Sequence, residues 1–452
     1  MKRTALVILL SLALHTLSNA QWTSPGNGTT YDMEDLVELS NGTVTVDGTI
    51  FTIHGNLTIS HNDCLVLDNH LTRININDAL ITIHGSLVCN NTNIRIGIYG
   101  TPTFSMRFEN ATGCELRKLY FSDGAGIKLI ESEVSFTDCK FLYFTRDYSN
   151  AVVDFFNCNP SFEDCLFMVN NGAAISSPAN GQGSPIILNC VFDENVKDGT
   201  NNPQINLGPG SRDSIRIVGN TIDGTYCQTP IGGLSIADLT GTGSTKVLIK
   251  NNIIKNGRYG YNQQGQSISS RIENNQFIDN NRETDPMSGG SGISIYGYSE
   301  NCNAVLRNNT ITGNLWGITS IYINHVDLGT EDDWGNNVIY DNGFNGKVYD
   351  LYNNTALDIL AIGNNWGTQN EQEIEDHIFH QNDDASLGLV TYIPYIGYTG
   401  LDEFNPEDLN DAAVTIYTIS GQRVGKGSLK PGVYILETKK GAERQVKKII
   451  VK

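Results

Sequence analysis

Ser135-Phe136-Thr137-Asp138-Cys139-Lys140-Phe141 returns as Ser161-Phe162-Glu163-Asp164-Cys165-Leu166-Phe167 and again as Ile186-Ile187-Leu188-Asn189-Cys190-Val191-Phe192. In each copy an apolar residue precedes the cysteine and Phe follows it two positions later, so one face alternates inward before a tight bend. The spacing extends upstream. Cys64, Cys89, Cys114 and Cys139 are evenly spaced, and Cys165 and Cys190 continue the series at almost the same interval. A fixed period of this size marks a solenoid, in which each repeat stacks only on its neighbours. Because the text around the cysteines is strand-like, the repeat is one coil of a β-helix.

Further on, Asn takes the cysteine position while its apolar partner two residues later persists. The pairs are Asn220 with Ile222, Asn252 with Ile254, Asn275 with Phe277, Asn309 with Ile311, and Asn337 with Ile339. Their intervals are unequal, which implies loops of differing length between equivalent strands. Stacked strands lie about 4.8 Å apart, so equivalent side chains sit over one another. A column of Asn can bond side chain to side chain and satisfy peptide groups at the bend, whereas a column of Cys packs as small apolar groups. Both read as structural devices, with thiols buried and mostly unpaired. Thr52-Ile53-His54-Gly55-Asn56-Leu57 recurs as Thr82-Ile83-His84-Gly85-Ser86-Leu87, which places His54 and His84 at one position of neighbouring coils. No third ligand of supporting spacing accompanies them, so no metal is expected.

A repeat architecture also explains how this length escapes division into several cores. Lys2 and Arg3, the apolar run Ala5 to Leu14, and small residues at Ser18 and Ala20 read as a signal peptide over 1–20. The run is too short to span roughly 30 Å of hydrocarbon, and no transmembrane segment is expected. A net charge of −19 excludes a general affinity for nucleic acid and disfavours polyanionic ligands unless a divalent metal intervenes. Residues 21–42 read as an N-terminal cap, with Asp32 capping a short helix Met33 to Leu39. The solenoid is expected over 43–395, closed by Glu371 to His380, where Ile374, Ile378 and Phe379 fall at helical spacing. A linker at 396–411 is acidic toward its end and contains Pro406; alternating strands follow over 412–452.

Two segments carry resemblances. Gly363-Asn364-Asn365-Trp366-Gly367-Thr368, then Ile374 through Phe379, Asn382-Asp383-Asp384 and Leu387-Gly388-Leu389-Val390-Thr391-Tyr392-Ile393-Pro394, is similar to the closing segment of secreted parallel β-helix proteins of the pectate-lyase-like superfamily. The implied fold is an all-β, right-handed parallel β-helix. Tyr417-Thr418-Ile419-Ser420-Gly421-Gln422-Arg423, Gly432-Val433-Tyr434 and the basic end Lys447-Lys448-Ile449-Ile450-Val451-Lys452 resemble the C-terminal sorting domain of the type IX secretion system of Bacteroidetes. That resemblance implies the type IX machinery as a partner and a secreted or cell-surface location.

A pectate-lyase-like site needs acidic residues for calcium and an Arg or Lys base, and a glycosidase site needs two carboxylates at a defined separation. The Asn-Thr-Asp, Gly-His-Gly and Arg-Ile-Lys pattern of polygalacturonase-like enzymes is absent, which leaves Asp332-Asp333 an isolated pair. Two stretches read as insertions with sugar-binding chemistry. One holds Tyr259, Tyr261, Tyr296 and Tyr298, and the other Asp332, Asp333 and Trp334. Aromatics beside carboxylates suit ring stacking and hydroxyl bonding on loops grafted to rigid coils. The expected function is binding or adhesion to glycan or a host surface. The alternatives are a polysaccharide lyase, with calcium, or a glycoside hydrolase, and a structural envelope protein; otherwise no cofactor is expected.

Overall fold

A computed structural model describes residues 21–451 apart from 69–70, 90–92, 99, 101–103, 201, 228, 242–243, 285–288, 399–400, 404–413, 426–428 and 441–442, and apart from the side chains of 401–403, 438–440 and 443–445. The expected signal peptide and most of the expected linker lie outside the described residues. The chain is a right-handed parallel β-helix. Three strands per coil build three faces, each strand pairing in parallel with its equivalents one coil before and after. The first face includes Tyr259–Gly265, Ser291–Tyr298, Ile318–Ile321 and Leu351–Asn354. The second includes Val134–Thr137, Ser161–Glu163 and Ile186–Leu188. The third includes Lys140–Leu142, Leu166–Met168 and Val191–Asp193. Two long strands, Ser291–Arg307 and Trp316–Asp327, bend through the corner and belong to both the first and second faces.

The bend between second and third faces explains the recurring motif. At Asp138, Asp164, Asn189, Asn251, Asn274, Asn308 and Asn336 the backbone is left-handed, with φ between 50° and 57°. Asp and Asn tolerate that region better than other side chains, which is why they recur there. The next residue turns inward. Cys165 N donates to Cys190 Sγ at 3.4 Å, Cys190 N to Asn220 Oδ1 at 2.8 Å, and Asn220 N to Asn252 Oδ1 at 2.8 Å. The amide ladder continues through Asn275, Asn309 and Asn337 to Asn364.

Of the cysteines, Cys139, Cys165 and Cys190 occupy that ladder and the earlier ones do not. Leu119 precedes the strand position of Lys140 one coil before Cys139, Cys114 begins a second-face strand, and Cys89 pairs with Leu116 within that face. The uniform spacing upstream arises because short and long coils compensate: along the second-face column Leu67, Cys89, Leu116, Phe136 the middle step is longer than the two that flank it. All nine cysteines are free thiols, and all but Cys64 are buried. A second amide ladder, Asn280, Asn314 and Asn342, ends on buried Asp350, which faces His377 at 3.2 Å.

Inside, Phe121, Phe141, Phe167 and Phe192 stack with centroids 5.1, 4.4 and 5.1 Å apart. The first coil is covered by helix Met33–Leu39, where Asp32 and Asp35 cap each other's backbone and Leu36 is buried. At the other end Ile374 of helix Glu371–Asp376, with Trp366, Tyr392 and Tyr395, joins the main core. The C-terminal sheet, mostly antiparallel, has its own small core of Ile416, Leu436 and Ile449. Leu401–Glu403, inside the expected linker, is a strand of that sheet paired with 448–450.

Candidate functional site

Along the first face one outward column runs Arg107, Lys128, Asp154, Ser176, Asn206 and Ser235, each the register partner of the next. It continues through Asn262, Ser294, Thr319, Tyr352 and Phe379. Charge gives way to amides, hydroxyls and rings. Beside it lies the column Gln264, Tyr296, Ile321, Asn354. These columns floor a groove of 340 Å³, within the usual range of about 300–1,000 Å³ for ligand pockets.

Strand alternation aims these side chains outward. Gly233-Leu234-Ser235, Gly260-Tyr261-Asn262, Gly292-Ile293-Ser294 and Gly317-Ile318-Thr319 each put glycine at the start of the face, the next side chain into the core and a polar residue on its outer surface. A Cβ on Gly260 would lie 2.4 Å from Gly292 O, so the coils approach as closely as they do only without side chains there. The repeated triplet is the sequence signal that locates the groove, and the reading by insertions passed over it.

Trp316 forms one wall. Its ring stacks on Tyr352 at 4.8 Å and 5°, Tyr352 stacks on Phe379 at 4.5 Å and 6°, and Tyr349 stands edge-on to all three. At the opposite wall Arg258 Nε lies 3.2 Å from Glu283. Gly289, at φ +146°, lets that guanidinium pass, since a Cβ there would sit 2.8 Å from Arg258 Nε. Tyr259 folds over Gly232, and burial pushes its phenol up to about 12. The Tyr296 phenol is also raised, by burial first and then by Tyr322 and Tyr298.

The seven expected residues separate. Tyr259 and Tyr296 line the groove. Tyr298, 43% exposed, sits at its margin, where it accepts from Gln264 Nε2 at 2.5 Å and packs beside Tyr322. Tyr261 is a correction: it is fully buried, its hydroxyl bonded to Ser270 and Gln263. The regular alternation starts after Gly260 and turns Tyr261 and Gln263 into the core and Asn262 and Gln264 outward, whereas Tyr259 stands before that glycine. These tyrosines belong to face strands rather than to inserted loops. Asp332, Asp333 and Trp334 lie in the bend after the second-face strand and do not line the groove. There Asp333 pairs with Arg307 at 2.9 Å and Trp334 covers Gly363. Trp316, Tyr352, Asn262, Gln264 and Asn354 were missed.

His54 and His84 do not share a column. His54 follows a third-face strand and bonds Thr45 at 2.8 Å, while His84 follows a first-face strand and lies 5.2 Å from His61. Their motif repeats at a longer interval than the coil there, whose length is set by the register pairs Phe51 with Ile74 and Leu57 with Ile81. Among the described residues, Asp32, Glu34 and Asp68 at the N-terminal cap bring carboxylate oxygens within 4.8 Å of one another.

Fold and groove together define a parallel β-helix with a ring-walled, amide-floored cleft on one face. A family model described as a protein of unknown function, DUF1565, matches residues 261–372, which contain most of that floor. No curated protein sequence matches the chain. Two solved structures of the periplasmic alginate epimerase AlgG, the first a point mutant, align over 81% of this chain and 83% and 81% of theirs, at 11% identity and TM-scores of 0.49 and 0.47. Likeness at that level transfers no activity. No helix among the described residues is long and apolar enough to cross a membrane.

Proposed function

We propose that this is an exported protein that binds a glycan in the first-face groove without cleaving it. One observation carries the reading: the described groove residues supply ring faces, amides and hydroxyls, but no carboxylate or histidine. Stacking and hydroxyl bonding need only the former, whereas glycoside hydrolysis needs two carboxylates at a set separation and calcium-assisted elimination needs carboxylates to hold the metal. Arg258, the one cation among the described lining residues, is already paired with Glu283. The signal-peptide text at 1–20 and the sorting-domain text at 412–452 support export through type IX machinery to the surface or the medium. No metal takes part in this binding, although a lyase would call on calcium.

The test is a glycan array with the exported protein, followed by calorimetry on the best ligand. Asn262→Ala and Tyr352→Ala should each weaken binding about tenfold, the scale of one lost hydrogen bond or ring contact. Asn262→Ala should leave the melting temperature nearly unchanged, and Tyr352→Ala, which also loses its stacks on Trp316 and Phe379, should lower it while leaving the circular dichroism spectrum unchanged. Trp334→Ala should leave binding intact. Appearance of new reducing or unsaturated ends, with or without calcium, would overturn the binding reading in favour of an enzyme.

A further inference from the structure

The register of the groove defines a slot one coil wide. Tyr259 and Ser291 each stand two residues before the paired Tyr261 and Ile293, and Ser291 pairs with Trp316. An aromatic residue, a serine and an aromatic residue therefore occupy one position of three successive coils. The outer two are separated by two strand spacings, roughly 9.6 Å. A flat ring needs about 3.5–4.0 Å to the ring it stacks on, so the space above Ser291 has room for a ring laid against Trp316.

The walls are built to leave it open. Trp316 has Tyr352 parallel against one face, and toward Ser291 no described ring covers the other. Ser291 Oγ is drawn down to Thr319 Oγ1 at 2.6 Å. Tyr259 leans away over Gly232 rather than across Ser291. Asn262 and Ser294 present polar groups on the adjoining floor position.

Charge selects the ring. The guanidinium of Arg258 is neutralised by Glu283, the remaining described lining is uncharged, and the whole chain carries −19. A uronate chain would be repelled at long range and find no unpaired cation at short range among the described lining residues. We infer that the slot over Ser291 takes a single uncharged pyranose of a neutral oligosaccharide, stacked on the Ser291-facing side of Trp316. The inference rests on the glycan reading above and adds the substrate class and the subsite. Neutral rings stack through their C–H faces, which an indole favours, and their hydroxyls reach the amides of the floor.

The test uses the exported full chain with neutral gluco-, manno- and galacto-oligosaccharides and with uronate oligomers, at low and high salt, followed by calorimetry and tryptophan fluorescence. Neutral oligomers should bind with little salt dependence and shift the indole emission. Trp316→Ala should weaken binding more than tenfold, and Trp316→Phe less than threefold. Ser291→Phe should abolish binding by filling the slot, with circular dichroism and melting checked on each variant. Tighter, salt-sensitive binding of uronates would overturn the neutral class while sparing the glycan reading. Undiminished neutral binding in both Trp316→Ala and Ser291→Phe would overturn the slot. Failure of every glycan to bind the unmutated chain would overturn the glycan reading itself.

Discussion

The same bend is closed by thiols between Cys139 and Cys190 and by amides between Asn220 and Asn364, and the two halves hold their coils differently. In the thiol half each Sγ meets backbone carbonyls as a weak donor, for example Cys139 to Leu116 O at 3.3 Å, and order comes from stacked rings. In the amide half each Asn is fully used. Asn252 accepts from Asn220 N and Nδ2 at 2.8 and 2.9 Å while donating to Ile217 O and Asn275 Oδ1 at 2.8 and 2.9 Å. Ladder steps in the thiol half, from Cys139 to Cys165 to Cys190, are nearly equal, whereas those from Asn220 through Asn252, Asn275, Asn309 and Asn337 are not. A bonded amide pins register whatever the intervening loop does, so variable coils, and with them the groove, are found where the ladder is polar.

The largest expected effect tests the apolar half. Phe167 lies between Phe141 and Phe192, at 4.4 and 5.1 Å, so Phe167→Ala should cost about 3–5 kcal/mol by urea unfolding. A smaller loss would mean that neighbouring coils collapse into the void. Next comes a direct exchange between halves. Asn275→Leu strands the buried Asn252 and Asn309 partners and should cost about 1–3 kcal/mol, whereas Cys165→Ala should cost less. Equal costs would erase the distinction between the two ladders.

Thiol chemistry sharpens the same contrast. Burial pushes the Cys114 thiol up to about 11 and Cys227 to about 12. Folded protein at pH 8 should therefore alkylate slowly everywhere but at partly exposed Cys64, and unfolding without reductant should release all nine. Recovery of fewer would show that some of the nine are paired, and mapping the unlabelled ones would decide whether the ladder thiols Cys139, Cys165 and Cys190 are among them.

The end of the second amide ladder gives a smaller, pH-dependent effect. Asp350 raises the His377 imidazole above its ordinary value chiefly by hydrogen bonding, so the pair stabilises fully below about pH 6.5 and is lost as pH rises through the raised value. His377→Gln should thus destabilise more at pH 6 than at pH 9, by under about 1 kcal/mol because the imidazole is partly exposed. The reverse order would assign the coupling to Asp350 ionisation instead. The smallest effect is expected from deleting 414–452. Its core of Ile416, Leu436 and Ile449 is separate from the main one, so the solenoid transition should not move; a lowered melting temperature would join the two.

Strand alternation, the left-handed Asx residue and the inward Cys or Asn after it are neighbours in the chain, so the fold class and the Asn220–Asn337 ladder could be read from the sequence alone. Capping at Asp32 was legible for the same local reason. What stands beside what across coils was not. Cys64, Cys89 and Cys114 keep a perfect interval yet leave the ladder, His54 and His84 share a motif yet occupy different faces, and Tyr261 shares a strand with Tyr259 yet points into the core. Trp316, Tyr352 and Phe379 are far apart in sequence and stack within 4.8 Å. Periodicity is set by each strand's own pleat, whereas the groove depends on how coils of unequal length are brought into register, and only the backbone ladders of the folded chain decide that.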